Sequence, residues 1–177
     1  VDFETGRRIN WEQDELASFY GGLLAQGGAA SDGAACTRSW AAVQRRFGVL
    51  PEEYDAASGK VLSAANALRP ELADAAFNLW LRDGREEWRT IVRDHYLAMK
   101  RWNKARFGYA DLADVTASPK VQSDHCPGYW WSEQMKYYYL IFADTPRVDY
   151  RRLYLTTEGN VLRGLRRRRG SFGAFGR

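Results

Sequence analysis

Apolar side chains recur along this chain with a helical period, and its Gly, Pro and acidic residues fall where helices would start and stop. Leu16, Phe19, Tyr20, Leu23 and Leu24 stand at i, i+3, i+4, i+7 and i+8. This stripe predicts a helix with its apolar face on the core, ending near Gly27 and Gly28. Residues 31 to 47 predict a second helix, capped by Ser31 or Asp32 and stopped at Gly48, with Val43 and Phe47 on one side. Leu72, Ala75, Ala76, Leu79 and Trp80 predict the buried face of a third, which Asp83 and Gly84 end. Trp88, Val92, His95, Met99 and Trp102 keep a four-three rhythm over a long helix from about Arg85 to Ala105, and a further face recurs at Trp131, Met135, Tyr138 and Phe142. The β-prone stretches, around Val115 and from Tyr154 to Leu162, are hairpin-sized. The pattern predicts an all-α fold of helical hairpins, and pairs of roughly 40 residues would suit a toroid or solenoid.

The start of the third helix carries the most chemistry. In LRPELAD, Pro70 is preorganised for a first helical position and Glu71 follows it directly. Free N–H groups at such a terminus favour negative charge, so a carboxylate there is expected to stay ionised.

Composition narrows the class. Of the 177 residues, 45% are hydrophobic and 14% aromatic, which indicates a folded, aromatic-rich chain able to bury one sizeable core. The net charge of +4 is misleading, because Arg163, Arg166 to Arg169 and Arg177 supply six positive charges at one end and the rest carries −2. A basic run on the Gly-rich end GSFGAFGR reads as a solvated tail, not a nucleic-acid interface. No stretch approaches the roughly 20 apolar residues of a membrane span. Cys36 and Cys126 cannot be paired from sequence, and His95 and His125 lack metal-ligand spacing and are expected to be ordinary packed or surface residues.

Five blocks in one order carry a resemblance: DELASFYGGLLAQGG from Asp14, GVLPEEYD from Gly48, LRPE, GYADLADVT from Gly108, and the run from Tyr129 through EQMKYYYLIF to the closing TTEGNVL. Together they resemble glycoside hydrolase family 47, the calcium-dependent class I α-1,2-mannosidases, over nearly all of residues 10 to 165. The resemblance implies part of an (αα)7 barrel with small β-hairpins. Residues 1–165 would be the C-terminal portion of the catalytic domain, followed by a flexible tail over 166–177. It implies removal of terminal α-1,2-linked mannose from a high-mannose N-glycan or glycoprotein, with inversion, in the secretory pathway or outside the cell. The parent protein would be free to carry a membrane anchor elsewhere.

By motif match, Glu71 falls at the position proposed as catalytic base and Arg69 at a substrate-contacting arginine. Asp74 stands where the family has a second glutamate, one methylene longer. Tyr129 matches an aromatic that lies against the terminal sugar, Glu133 a glutamate that binds its hydroxyls, Thr157 the Ca²⁺ ligand and Glu158 a residue that holds nearby waters. These residue types suit those roles, since a flat ring fits an apolar sugar face, a carboxylate fits hydroxyls, and a threonine offers a hard cation two oxygens. Read alone, Asp74 is a polar first-turn residue, Glu133 lies equally well in a site or on a solvated surface, and TTEGN is a polar hairpin turn with Gly159 and Asn160 at its tip.

The chain also departs from the family. Glu15 stands where a pocket-lining histidine is usual, Pro127-Gly128 where Glu-Ser precedes the aromatic, and TEGNVL where TE leads to a small residue, His and Pro. The family pairs a cysteine at the Ser18 position with one matching Cys36, so that bridge is expected to be lost. Inverting hydrolysis needs two carboxyls, one as acid and one as base. The family's other catalytic carboxylates lie upstream, so the isolated chain is expected to be inactive and to expose apolar edges. Two other readings remain: a mannose-glycan-binding relative without turnover, and a helical-repeat scaffold for protein partners.

Overall fold

The computed structural model describes residues 2–145 and 154–162, and the arginine-rich tail lies outside them. Among the described residues five α-helices form the body: α1 Tyr20–Gln26, α2 Ala30–Phe47, α3 Glu71–Asp83, α4 Glu86–Trp102 and α5 Met135–Phe142. A 3₁₀ turn, Glu15–Phe19, leads into α1, and one turn of π-helix, Trp130–Gln134, leads into α5. Helix α3 is central, packing against each of the other four. Its Leu72, Ala75, Ala76 and Leu79 are at most 1% exposed, as the periodicity predicted, with Trp80 only half-buried. Burying a Leu or Phe of this kind contributes about 1.5–3 kcal/mol.

Trp88, Val92, His95 and Met99 form the buried stripe of α4 as expected. His95 Nδ1 lies 2.7 Å from the Tyr138 hydroxyl, and burial lowers its pKa to about 4, so it is a neutral core histidine. Both cysteines are free.

Two stripes differ from expectation. Leu16, Phe19, Tyr20 and Leu23 are 41–50% exposed and do not face the core. The inward face of this segment is instead Glu15, Ser18, Gly21, Gly22 and Ala25. The reason is a close helix crossing. A Cβ on Gly33 of α2 would lie 2.4 Å from the Gly21 carbonyl oxygen, and one on Gly21 would lie 2.2 Å from Thr37 Oγ1. Bulky residues cannot occupy that seam, so they are displaced to the outer face, forming an exposed apolar edge. Gly33→Ala is therefore expected to destabilise the fold by about 1–3 kcal/mol through overpacking, partly offset by roughly 1 kcal/mol of helix propensity. Gly128→Ala, where an added Cβ meets nothing within 4 Å, should stay within about 0.5 kcal/mol, both variants being compared with the parent by urea titration.

At α5 the π-turn advances the register, so Trp130 is fully buried and Trp131 is 55% exposed, opposite to the predicted face. The indole of Trp130 packs 4.5 Å from Tyr109. Smaller differences concern helix ends. Helix α2 begins at Ala30 after an Ala29 cap without a side-chain bond, not at Ser31 or Asp32, and Pro70 is the N-cap of α3, with Glu71 its first residue. Helix α4 stops at Trp102 because Asn103 turns away to bind Asn66 and the Ala110 carbonyl.

Most strand structure was not expected. Strands β1 Glu12–Asp14, β2 Glu53–Asp55 and β3 Val61–Ser63 make an antiparallel sheet with Glu12 opposite Asp55 and Asp14 opposite Glu53. Strands β4 Lys104–Ala105 and β5 Gly108–Tyr109 pair, as do β6 Tyr154–Leu155 and β7 Val161–Leu162, the closing hairpin expected from sequence. Val115 is in no strand; its N–H bonds the Ala64 carbonyl. Among the described residues no helix is long and apolar enough to cross a membrane.

Candidate functional site

The site gathers at the N-terminus of α3, where the preceding loop, the first sheet, the π-turn and the closing hairpin meet. Leu68, fully buried, takes a left-handed backbone with φ of 56°, a conformation that non-glycine residues rarely hold without surrounding support. It turns the chain so that Arg69 points to Glu52. The guanidinium donates three hydrogen bonds of 2.8–3.1 Å to the Glu52 carboxylate, which also accepts from Ala67 N–H. Burial alone would lower the Arg69 pKa, but these bonds outweigh it and hold the group firmly charged.

Glu71 does not behave as its helix position suggests. Burial drives its pKa up to about 7; its own N–H and Arg69 oppose the rise, and Glu133 and Asp74 reinforce it. Desolvation outweighs the helix terminus, so the expectation of a permanently ionised carboxylate is corrected. Oε2 of Glu71 is buried with no hydrogen-bond partner. Glu71 is thus a carboxyl poised near neutrality, which suits a general base.

Asp74, one helical turn on, accepts from Asn78 Nδ2 at 2.8 Å and from Tyr137, and burial raises its pKa to about 6. Asn78 in turn accepts from Gln26, tying this network to α1. Tyr129 is half-buried beside Arg69, its hydroxyl donating to the Ala67 carbonyl, so the ring is pinned across the loop that enters α3.

Glu133 lies in the π-turn, a helix irregularity frequent at functional sites. It is only 9% exposed, and burial, then its contact with Glu158, raises its pKa to about 7. Glu158, exposed in the closing hairpin, accepts 2.6 Å from Ser132 Oγ. The hairpin tip presses on the π-turn at Gly159, where a Cβ would lie 3.1 Å from the Ser132 carbonyl oxygen. Electrostatic contact runs from Arg69 through Glu71 and Asp74 to Glu133, Lys136 and Glu158. Arg69, Glu71, Asp74, Tyr129, Glu133 and Glu158 therefore form one neighbourhood, although 89 residues separate the first from the last.

Thr157 is exposed, and its carbonyl, with that of Thr156, accepts from the Lys136 ammonium. A position that holds a cation beside carbonyl and carboxylate oxygens has donor chemistry that fits a hard metal ion. Among the described residues no three His, Cys, Asp or Glu converge as a metal site, so such an ion would depend on Thr157 and water.

Sequence reasoning missed three participants: Glu52 holds Arg69, Lys136 bridges helix and hairpin, and Ser132 ties down Glu158. Glu52 had a signal in its place within LPEEYD; the other two had none beyond their residue type. Glu15, singled out from the sequence as an acid at a usual pocket-lining position, is buried at the edge of the cluster.

The chain matches the family model of glycosyl hydrolase family 47 over residues 2–164. Alpha-mannosidase I MNS5 of Arabidopsis thaliana is 30% identical over 161 residues, covering 89% of this chain and 27% of that protein. Mannosyl-oligosaccharide 1,2-alpha-mannosidase of Candida albicans is 24% identical over 203 residues, covering 90% of this chain and 36% of its own. A solved alpha-1,2-mannosidase from Trichoderma reesei superposes with a TM-score of 0.74 at 21% identity, over 88% of this chain and 40% of that one. The chain thus spans about a quarter to two-fifths of the length of these relatives. The helical hairpins are those of an (αα)7 barrel, as the sequence predicted.

Proposed function

Because the chain belongs to glycosyl hydrolase family 47, we propose that it supplies the base side of an α-1,2-mannosidase site that removes terminal mannose from high-mannose N-glycans in the secretory pathway. One observation carries this reading: Glu71, raised to about 7, lies in one electrostatic cluster with Arg69, Tyr129 and Glu133. Inverting hydrolysis needs a carboxylate to take a proton from water and a separate acid to protonate the leaving oxygen. Glu71 is the base, and the acid comes from outside this cluster. Tyr129 offers its ring to the apolar face of the sugar, while Arg69, Glu133 and Asp74 order its hydroxyls.

Ca²⁺ would be held by Thr157 through its carbonyl and hydroxyl, with Glu158 holding nearby waters. When bound, it supplies a Lewis acid that orients sugar hydroxyls. Lys136 must then release the Thr157 carbonyl. At 100-fold excess over its Kd, calcium is expected to raise the melting temperature by roughly 5–10 °C relative to chelator, and Thr157→Ala should remove the shift. An unchanged melting temperature in a folded chain would sink the calcium assignment.

The reaction is tested by incubating the protein with α-1,2-mannobiose and with a high-mannose N-glycan, measuring free mannose and, separately, glycan binding. Release that stops with Glu71→Gln supports hydrolysis. Binding without release, in a length of the protein that includes the rest of the barrel, would replace it with a glycan-binding role. Absence of both would refute the substrate class.

A further inference from the structure

A groove separate from the cluster around Glu71 opens between the segment that leads into β1 and one face of α2, with a cavity volume of about 780 Å³. None of Arg69, Glu71, Asp74, Tyr129, Glu133 and Glu158 lines it. A volume in this range is that of small-molecule pockets, which combine flat apolar walls with a few placed polar groups. Helix α2 contributes Trp40, Val43 and Cys36, and the first sheet with its lead-in contributes Trp11 and Tyr54.

Both of these latter rings are held in place. The Trp11 carbonyl accepts from Ala56 N–H at 2.9 Å, which anchors its backbone, and the Arg8 guanidinium lies 3.7 Å over the indole. One side of the ring is thus covered, yet Trp11 remains 47% exposed. Tyr54 is half-buried, meets Phe47 edge-on at 6.1 Å between ring centres, and accepts from Arg46 Nη1 at 3.3 Å. Arg46 in turn rests on the β2–β3 turn, where a Cβ on Gly59 would lie 2.7 Å from Nη1.

The polar groups share a planar form. Arg8 and Arg46 bring guanidiniums, Asn10 and Gln13 amides, and Glu12 a carboxylate. Asn10 Nδ2 donates to Glu12 Oε2 at 2.8 Å and Gln13 Nε2 to the Glu12 carbonyl at 2.7 Å, which leaves the amide oxygens as acceptors. An apolar guest would bury such groups unsatisfied, at roughly 1–3 kcal/mol each. An anion would gain from the arginines but meet the like charge of Glu12. A neutral polyhydroxyl ring suits all of them: its C–H face lies on an aromatic ring, and its hydroxyls donate to carboxylate and amide oxygens and accept from guanidinium N–H groups.

We propose that this groove is a second carbohydrate site, in which Trp11 and Tyr54 hold a mannose residue of an α-linked oligosaccharide. That the sugar is mannose rests on the proposed function; that it is a neutral sugar rests on the groove itself. Tyr54 follows Glu52, the partner of Arg69, by two residues, so the chain segment that holds Arg69 also shapes the groove.

The test is ¹H–¹⁵N NMR of the tryptophan indole N–H groups in the full chain, the Trp11 peak being assigned by its loss in Trp11→Phe. The probe is α-1,2-mannobiose, with maltose and sodium sulfate as comparison solutes. The expected result is a saturable shift of the Trp11 peak with mannobiose, kept in Tyr129→Ala, smaller with maltose and absent with sulfate. Cys36, a free thiol in the groove, gives a second reading. In a Cys126→Ser chain, mannobiose at about ten times its Kd should slow alkylation of Cys36 about tenfold, and Trp11→Ala should abolish the protection. A Trp11 peak unmoved by about 50 mM mannobiose, enough to fill most of a site with a Kd of about 10 mM, overturns the proposal. So does a response to sulfate alone, which would mark an anion site, or a response to maltose as large as that to mannobiose. Mannobiose bound at Trp11 without release of mannose counts against the proposed reaction and leaves the groove standing; release with an unmoved Trp11 peak does the reverse.

Discussion

Glu71→Gln is expected to lower the turnover of α-1,2-linked mannose by roughly 100- to 10,000-fold, the usual range for loss of a general base, in whichever length of the protein turns over. The substitution keeps the side chain's shape and one hydrogen-bond acceptor but cannot accept the proton. In the unsubstituted protein, kcat/KM should rise with pH to a midpoint of about 7 as Glu71 ionises. The same substitution has a stability signature of opposite sense. The folded-state pKa is raised from 4.5 to about 7, so the fold favours the protonated form. Stability from this group is fully present below pH 4.5, is lost as pH climbs through 7, and is level beyond. Glu71→Gln removes that loss, so the variant should be more stable than the parent at pH 8 and little changed at pH 4. A variant that retains activity within tenfold, or that is less stable at pH 8, would contradict the assignment.

Arg69→Leu is expected to cost roughly 3 kcal/mol in urea denaturation, the low end of the range for removing one partner of a buried ion pair, because this pair is only partly buried. The pair is 22% and 16% exposed at its side chains, and its three hydrogen bonds fix both planes. Without the guanidinium, Glu52 is left beside Glu15 and Glu71, three carboxyls with no cation among them. The loss should therefore be larger at pH 8 than at pH 5. Arg69→Lys should recover part of the stability and less of the geometry, since an ammonium cannot reproduce the planar fork. By contrast Arg38→Ala, which breaks a pair exposed at 45% and 37%, should cost under about 1 kcal/mol. Equal losses at Arg69 and Arg38 would show that the buried pair is not a keystone of the site.

The motif positions of the candidate site were legible because their order along the chain is a linear property. LRPE, Tyr129, Glu133 and TTEGN could be read singly, and their likeness to one family supplied the roles proposed for them. Their convergence could not be read, since it depends on the left-handed turn at Leu68 and on the hairpin resting against the π-turn at Gly159. The acid–base character of Glu71 was misjudged for a related reason. A helix start is a local feature that favours charge, whereas desolvation depends on every element packed around it.

By itself, then, the sequence determined the helices α3 and α4, the closing hairpin and the family, because a 3.6-residue period and short motifs act within one turn or one loop. Only the tertiary structure decided which face of the Leu16 to Leu24 stripe is inside, because the Gly21 and Gly33 backbones meet too closely for any side chain between them. It also decided that Trp130 and not Trp131 is buried, because a π-turn shifts the register by an amount that periodicity assumes to be zero. And it set the carboxyl of Glu15 in a dry interior beside Glu52 and Glu71, a placement fixed by the pairing of two polar strands whose residues, Glu12 to Asp14 and Glu53 to Asp55, carry no apolar pattern from which that pairing could be read.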